Sequence, residues 1–270
     1  MKFCRAGVAI CAIISLGVFS AKAQDIVVTD SCRVIITDGS TELSYLPQTR
    51  FPVVMIGTSV NKTYTVLNDS TTTTLTVSTV TITGPNAADF GVLSAFILPI
   101  GTAPTDSGSF TILFAPTTTG ERHAQVNVFN NTPGSKSVYS YAIMGNGSAT
   151  PVPPSCDLGI TMLPLTTKVG NKSTIISGKM EIRNNAQVAA GGGVVEVVIS
   201  NKRYWDINSS FISYKPFKTF KAYDPAKKQK VLKSSFKYTR NLASGTLFGR
   251  VLSQSADQNW GDNVAHLPLP

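Results

Sequence analysis

Histidine is nearly absent from this chain. There are two in 270 residues, His123 and His266, and neither has Cys, Asp or Glu at a metal-ligand spacing. Acids are sparse too, 15 in all and scattered. A glycosidase pair, from Asp25 with Asp30 or Asp257 with Asp262, is reached only by assumption. No serine stands in a nucleophile elbow, and no run of alternate Asp or Asn ends in the Glu of a calcium loop. "AAGGGVV" (189–195) is followed by neither helix nor Lys, so it reads as a turn or bulge, not a phosphate cradle. These gaps argue against an enzyme and against any cofactor or metal.

Long apolar runs are missing as well. The one at Ala6 to Phe19 follows Lys2 and Arg5 and precedes Ala21-Lys22-Ala23, the order of a cleaved secretory signal over residues 1–23. No later stretch approaches the roughly 20 residues of a transmembrane helix. The mature chain is therefore expected to be secreted, or periplasmic and associated with the cell envelope. Cysteine is reduced with it: Cys4 and Cys11 leave with the signal, and Cys32 and Cys156 remain. Within a monomer they can pair in one way, and closing so long a loop would contribute on the order of 4 kcal/mol in the entropic account. Two buried or reduced thiols are the alternative.

What the chain does hold is Thr, Val, Ser and Gly. "TTTTLTVSTVTIT" (71–83) alternates with a period of two, which is the pattern of strands. "TYTVL" (63–67), "LTVSTVTI" (75–82), "SFTILFAP" (109–116), "RHAQVNVFN" (122–130) and "SVYSYAIMG" (137–145) are separated by Gly, Asn, Asp and Pro. Phe110, Ile112 and Phe114 share one face, as do Ala124, Val126 and Val128. Strands so spaced, with no helix between them, predict an all-β fold of antiparallel sandwiches. Pro151, Pro153 and Pro154 interrupt them, so the expected order is a domain over 24–147, a Pro-rich linker over 148–156 and a second domain over 157–270. Each half is expected to fold by itself across a small, polar contact.

"GPNAADFGV" (84–92), "FTILFAPTTTGERHAQVNVFNN" (110–131) and "YSYAIMGNG" (139–147) resemble the Hydin-like (ASH-type) immunoglobulin-like domain, in its bacterial version named choice-of-anchor D. The resemblance covers about residues 25 to 147. It implies a seven- or eight-stranded sandwich on exported bacterial proteins held by varied C-terminal anchors, whereas this sequence ends in "AHLPLP" with no sorting motif. Read physically, Asn86 and Asp89 are turn residues that bond their own backbone, and Phe90 plugs one end of the sandwich. "DLGITML" (157–163), "GKMEIRNNAQVAAGGGVVEVVIS" (178–200) and "TLFGRVLSQSADQNWGDNVAHL" (246–267) resemble more weakly the bacterial cell-adhesion-related (CARDB-like) immunoglobulin-like domain. Gln258, Asn259 and Trp260 stand where that family's last turn is acidic.

Charge is uneven. Residues 201–240 hold 11 Lys or Arg against Asp206 and Asp224. Within them "YKPFKTFKAYDPAKKQK" (214–230) sets Lys215, Lys218, Lys221, Lys227, Lys228 and Lys230 beside Phe217, Phe220 and Tyr223. One reading is a face for an anionic envelope polysaccharide, with cations attracting and rings stacking. The other is a solvated edge whose lysines deter aggregation. Export and the lack of a readout motif exclude sequence-specific nucleic-acid recognition. Taken together, the residues point to an exported, non-enzymatic adhesion, scaffold or binding module with a protein or anionic polysaccharide partner. An accessory or targeting subunit of a secreted hydrolase, or a surface-assembly building block, is the alternative.

Overall fold

Because alternating β-branched residues are cut by Gly, Asn and Pro every few positions, the chain settles into many short strands. The computed structural model describes residues 25–41, 48–70, 72–94, 99–100, 106–152, 155–169, 174–206, 209–227, 231–240, 245–253 and 264–269. Residues 1–23, the expected signal, lie outside them. Among the described residues the only helical pieces are two 3-10 turns, Ala87–Asp89 and Gly134–Ser137.

The first half contains β1 (Ile26–Asp30), β2 (Arg50–Met55), β3 (Val60–Asn68), β4 (Leu75–Thr83), β5 (Phe90–Ser94), β6 (Pro99–Ile100), β7 (Ser107–Phe114), β8 (Gly120–Asn130) and β9 (Val138–Ser148). They form two sheets, β1-β3-β7-β5 and β2-β9-β8-β4-β6, antiparallel except where β2 joins β9. Phe110, Ile112 and Phe114 of β7 meet Ala124, Val126 and Val128 of β8 in one apolar cluster between the sheets. The faces read from the sequence are the faces that pack. Full burial of each such Phe contributes about 1.5–3 kcal/mol. Phe90 closes one end against Phe51 and Phe114, with ring centroids 5.6 and 4.8 Å away. Gly145 lets β9 cross that end, since a Cβ there would meet the Phe114 ring at 2.3 Å.

The second half contains β10 (Leu158–Met162), β11 (Thr166–Val169), β12 (Thr174–Asn184), β13 (Gly193–Ser200), β14 (Ser210–Phe217), β15 (Val231–Arg240), β16 (Thr246–Ser253) and β17 (Val264–Pro268). In one sheet β12 is paired by β10, β11 and β15; the other runs β14-β13-β16-β17. Leu158, Met180, Ile182 and Phe236 face Val195, Val197, Leu247 and Val251 across their shared core. Every pair of named strands lies within 26–148 or within 158–268, on either side of the proline segment.

The contact between the halves is not the small polar one expected. Asp30 ends β1 in a tight turn: its Oδ1 accepts the N–H groups of Cys32 and Val34, both at 2.9 Å, and Arg33 takes a left-handed φ of 62°. That turn carries Cys32 and Val34 onto Val198, Trp205 and Phe248 of the second half, an apolar cluster made by both. The Arg33 and Ile35 backbones exchange hydrogen bonds with Trp205 at 2.9 and 3.0 Å. Beside them Tyr204 packs on Val27 and Leu67, and Arg203 Nη2 donates to the Asn68 carbonyl at 2.7 Å. Cys32 and Cys156 lie in separate apolar clusters, and no disulfide joins them in this structure.

Candidate functional site

The lysine and aromatic segment is divided by the fold. Lys215, Lys218, Lys221 and Lys227 are exposed, and Lys227 pairs with Asp224 at 2.8 Å. Lys228 and Lys230 lie outside the described residues. The rings behave differently from the stacking platform that the sequence suggested. Phe220 is buried in the second core, and its N–H and C=O both bond Ala190, at 3.0 and 2.9 Å. Phe217 lies opposite Gly193 at the end of β14 and packs on that core, its ring centroid 6.4 Å from that of Phe220. Tyr223 is half-buried, and its N–H donates to the Ala186 carbonyl at 2.8 Å. Asn184 reaches the Val188 and Lys221 carbonyls. The period of three is thus a loop folded back on residues 184–190, and Phe217 and Phe220 are spent on packing.

The exposed rings are two that the sequence reading passed over. Phe211 and Tyr214, on β14, are 64% and 65% exposed. Strict alternation would send them to opposite faces. A β-bulge intervenes: Val197 pairs with Ser213 and Val198 with Phe211, leaving Ile212 over. Phe211 opposite Val198 and Tyr214 opposite Glu196 therefore share the outer face of the sheet. The strand is the last in its sheet, and among the described residues nothing pairs with its other edge.

That outer face is continuous with the junction. Glu196 accepts from Arg250 Nε at 2.9 Å and from its Nη2. The Arg250 guanidinium lies 4.3 Å from the centroid of Trp205, which in turn takes the Asp30–Val34 turn. Val198 is fully covered by this arrangement while Phe211, its neighbour across the ladder, is open. A corner results, apolar at its closed end and aromatic at its open edge.

Electrostatics at the corner are those of burial. Burial raises Asp30 to about 6, against the N–H groups of Val34 and Cys32 and the charges of Lys62 and Arg250. The Cys32 thiol, buried beside Asp30, is pushed to about 12, which makes it a poor nucleophile. Asp89 follows another logic. Burial pushes it up, but Thr117 and Arg122 outweigh that and hold it below the ordinary carboxylate range. Its Oδ1 accepts the Thr117 N–H at 2.9 Å and hydroxyl at 2.6 Å, and Oδ2 accepts from Arg122. Asn86 Oδ1 accepts the His123 N–H at 2.8 Å. The motif residues therefore clamp the 3-10 turn to the β7–β8 connection, beyond the local turn that the sequence suggested.

No family model matches the chain, and no curated protein matches it. Solved structures resemble it loosely. The YadV chaperone is 12% identical, covering 91% of this chain and 100% of its own, at a TM-score of 0.29. The class 5 fimbriae chaperone CfaA is 17% identical over 81% and 95% of the two chains, at 0.25. The secreted serine protease VesC from Vibrio cholerae is 11% identical at 0.30, and this chain spans about half its length, with 77% of this chain and 49% of that one covered. Values so low carry no argument about function. No helix among the described residues is long and apolar enough to cross a membrane.

Proposed function

We propose that this is an exported, non-enzymatic binding module for a protein partner at the cell envelope, with two sandwiches locked at a fixed angle to present the outer edge of β14. The observation that carries the reading is the pair of exposed rings, Phe211 and Tyr214, on an open edge beside a packed junction. A non-catalytic role is supported by the employment of the buried acids. Asp30 holds a turn, Asp89 a clamp, Glu196 an arginine, and Asp206 both Lys202 and Ser209.

Photo-crosslinking in producing cells tests this. A crosslinker at position 211 or 214 should trap a discrete protein band, and one at the exposed Leu93 should not. Equal labelling at all three, or none at 211 and 214, would overturn it. The exposed lysines favour a second reading, an anionic glycan. That reading requires retention on heparin that falls when Lys215, Lys218, Lys221 and Lys227 become Gln and stays when the two rings are removed.

A further inference from the structure

The β14 edge has two chemically different faces, and the difference specifies an occupant. Phe211 and Tyr214 lie on the outer face, while Lys215, opposite Val195, stands on the other and is exposed. Lys218 and Lys221 follow it, both exposed, and Asp224, the nearest acid in sequence, is already paired with Lys227. A second copy of β14 is a poorer match, because antiparallel self-pairing over Ser210–Lys215 would set Lys215 opposite Ser210 and add further lysines to the edge without one acid to answer them. We infer that the edge takes an extended, acidic segment of a partner protein as an added strand beside Ser210–Lys215. This rests on the binding-module reading above. Main-chain hydrogen bonds would supply affinity and alternate side chains specificity. The added strand would place apolar side chains beside Phe211 and Tyr214 and carboxylates toward Lys215, so its sequence should alternate apolar and acidic residues. The outer face already buries apolar side chains at Val198 and Phe248 under the Asp30–Val34 turn, and the added strand would extend that covered area outward.

The test is selection of a random linear peptide library on the full-length protein, counter-selected on the Phe211→Ser/Tyr214→Ser variant. Both positions are exposed, so the variant should melt at the wild-type temperature. Enriched peptides should be net acidic with apolar residues at every second position, bind roughly tenfold or more weakly to the variant, and weaken as salt rises. No enrichment over the variant, or enrichment of basic or patternless peptides, overturns the inference. Equal binding by wild type and variant also overturns it. If peptides fail while crosslinks at 211 and 214 persist in cells, the acidic strand falls and the binding module stands.

Discussion

Each half of the molecule holds one buried carboxylate against an arginine, and the two pairs are put to different uses. In the first half Asp89 and Arg122 tie a 3-10 turn to β8 within a single sandwich, and Thr117 fills the remaining acceptor positions. In the second half Glu196 and Arg250 face each other across β13 and β16 on the outside of the sheet, where Arg250 supports Trp205 and Trp205 receives the first half. One pair closes a fold and the other builds a contact. The cores differ in the same sense. Phe51, Tyr64, Phe90, Phe110, Phe114 and Tyr141 fill the first with rings. The second relies on Met162, Met180 and aliphatic residues, with Phe220 and Phe236, and leaves its largest exposed rings on an edge. The first half carries 8 acids against 5 bases over 24–147, the second 7 against 16 over 157–270. The first half is therefore closed around its own rings, and the second leaves rings and positive charge exposed.

Breaking the two ion pairs separately gives the largest effect. Removing one partner of a buried pair leaves an uncompensated charge and costs about 3–5 kcal/mol. Asp89→Ala should lose stability of that order with the rate of cleavage in the linker unchanged. Glu196→Ala should lose a similar amount and also loosen Trp205, so that residues 148–156 become readily cleaved. Calorimetry with limited proteolysis distinguishes them, and equal linker cleavage in both variants would erase the proposed difference.

The rings of the second half offer the next comparison. Phe220→Ala should cost about 3–5 kcal/mol, as for a large core side chain. Phe211→Ala and Tyr214→Ala should each stay within about 0.5 kcal/mol. Chemical denaturation measures all three. A neutral Phe220→Ala would restore the stacking platform that the sequence suggested.

That suggestion failed for a local reason. Three rings at a spacing of three fit no regular element, and nothing in "YKPFKTFKAY" announces that Ala190 will capture the Phe220 backbone. Phe211 and Tyr214 were hidden by the bulge, because parity alone places them on opposite faces. Trp205, Tyr204 and Arg203 fell inside a basic stretch that offered no sign of a packing role, while their partners Val34, Leu67 and Asn68 lie well over a hundred residues earlier. By contrast the faces of β7 and β8 and the role of Phe90 were legible, since period and size are local signals. Asn86 and Asp89 fell between: their residue type said turn, and only the fold shows how far their oxygens reach.

The junction can be tuned through Asp30. The folded carboxyl, near 6, holds its proton more tightly than the usual 3.8, so ionisation costs the folded state more than the unfolded one. The fold therefore pays no such penalty below about pH 4, and loses stability as pH rises from there to about 6. The difference amounts to up to about 3 kcal/mol at neutral pH. Asp30→Asn keeps an oxygen for the Cys32 and Val34 N–H groups, both of which bond Oδ1. Relative to the wild type, the variant should gain stability above pH 6, and the gain should fade below pH 4. A gain that does not change with pH would show that Asp30 is not the titrating group.

The smallest predicted effect returns to the self-contained half. Tyr64 and Tyr141 are fully buried, with ring centroids 5.4 Å apart, and neither hydroxyl has a hydrogen-bond partner among the described residues. A buried hydroxyl without a partner forfeits its hydration for nothing and costs about 1–3 kcal/mol. Phe fills nearly the same volume without it, so Tyr141→Phe should raise stability by about 1 kcal/mol, the lower end because the core is already packed around the oxygen. Tyr139→Phe is the matched control, since its hydroxyl donates to the Ile36 carbonyl, close behind the turn that meets the second half, and its loss should destabilise. Opposite signs for these two substitutions on one strand would show that hydroxyls in the first half matter only where the chain leaves its own core for the junction. If Tyr141→Phe is destabilising as well, a water or a shifted ring satisfies that oxygen, and the core of the first half is less closed than its rings imply.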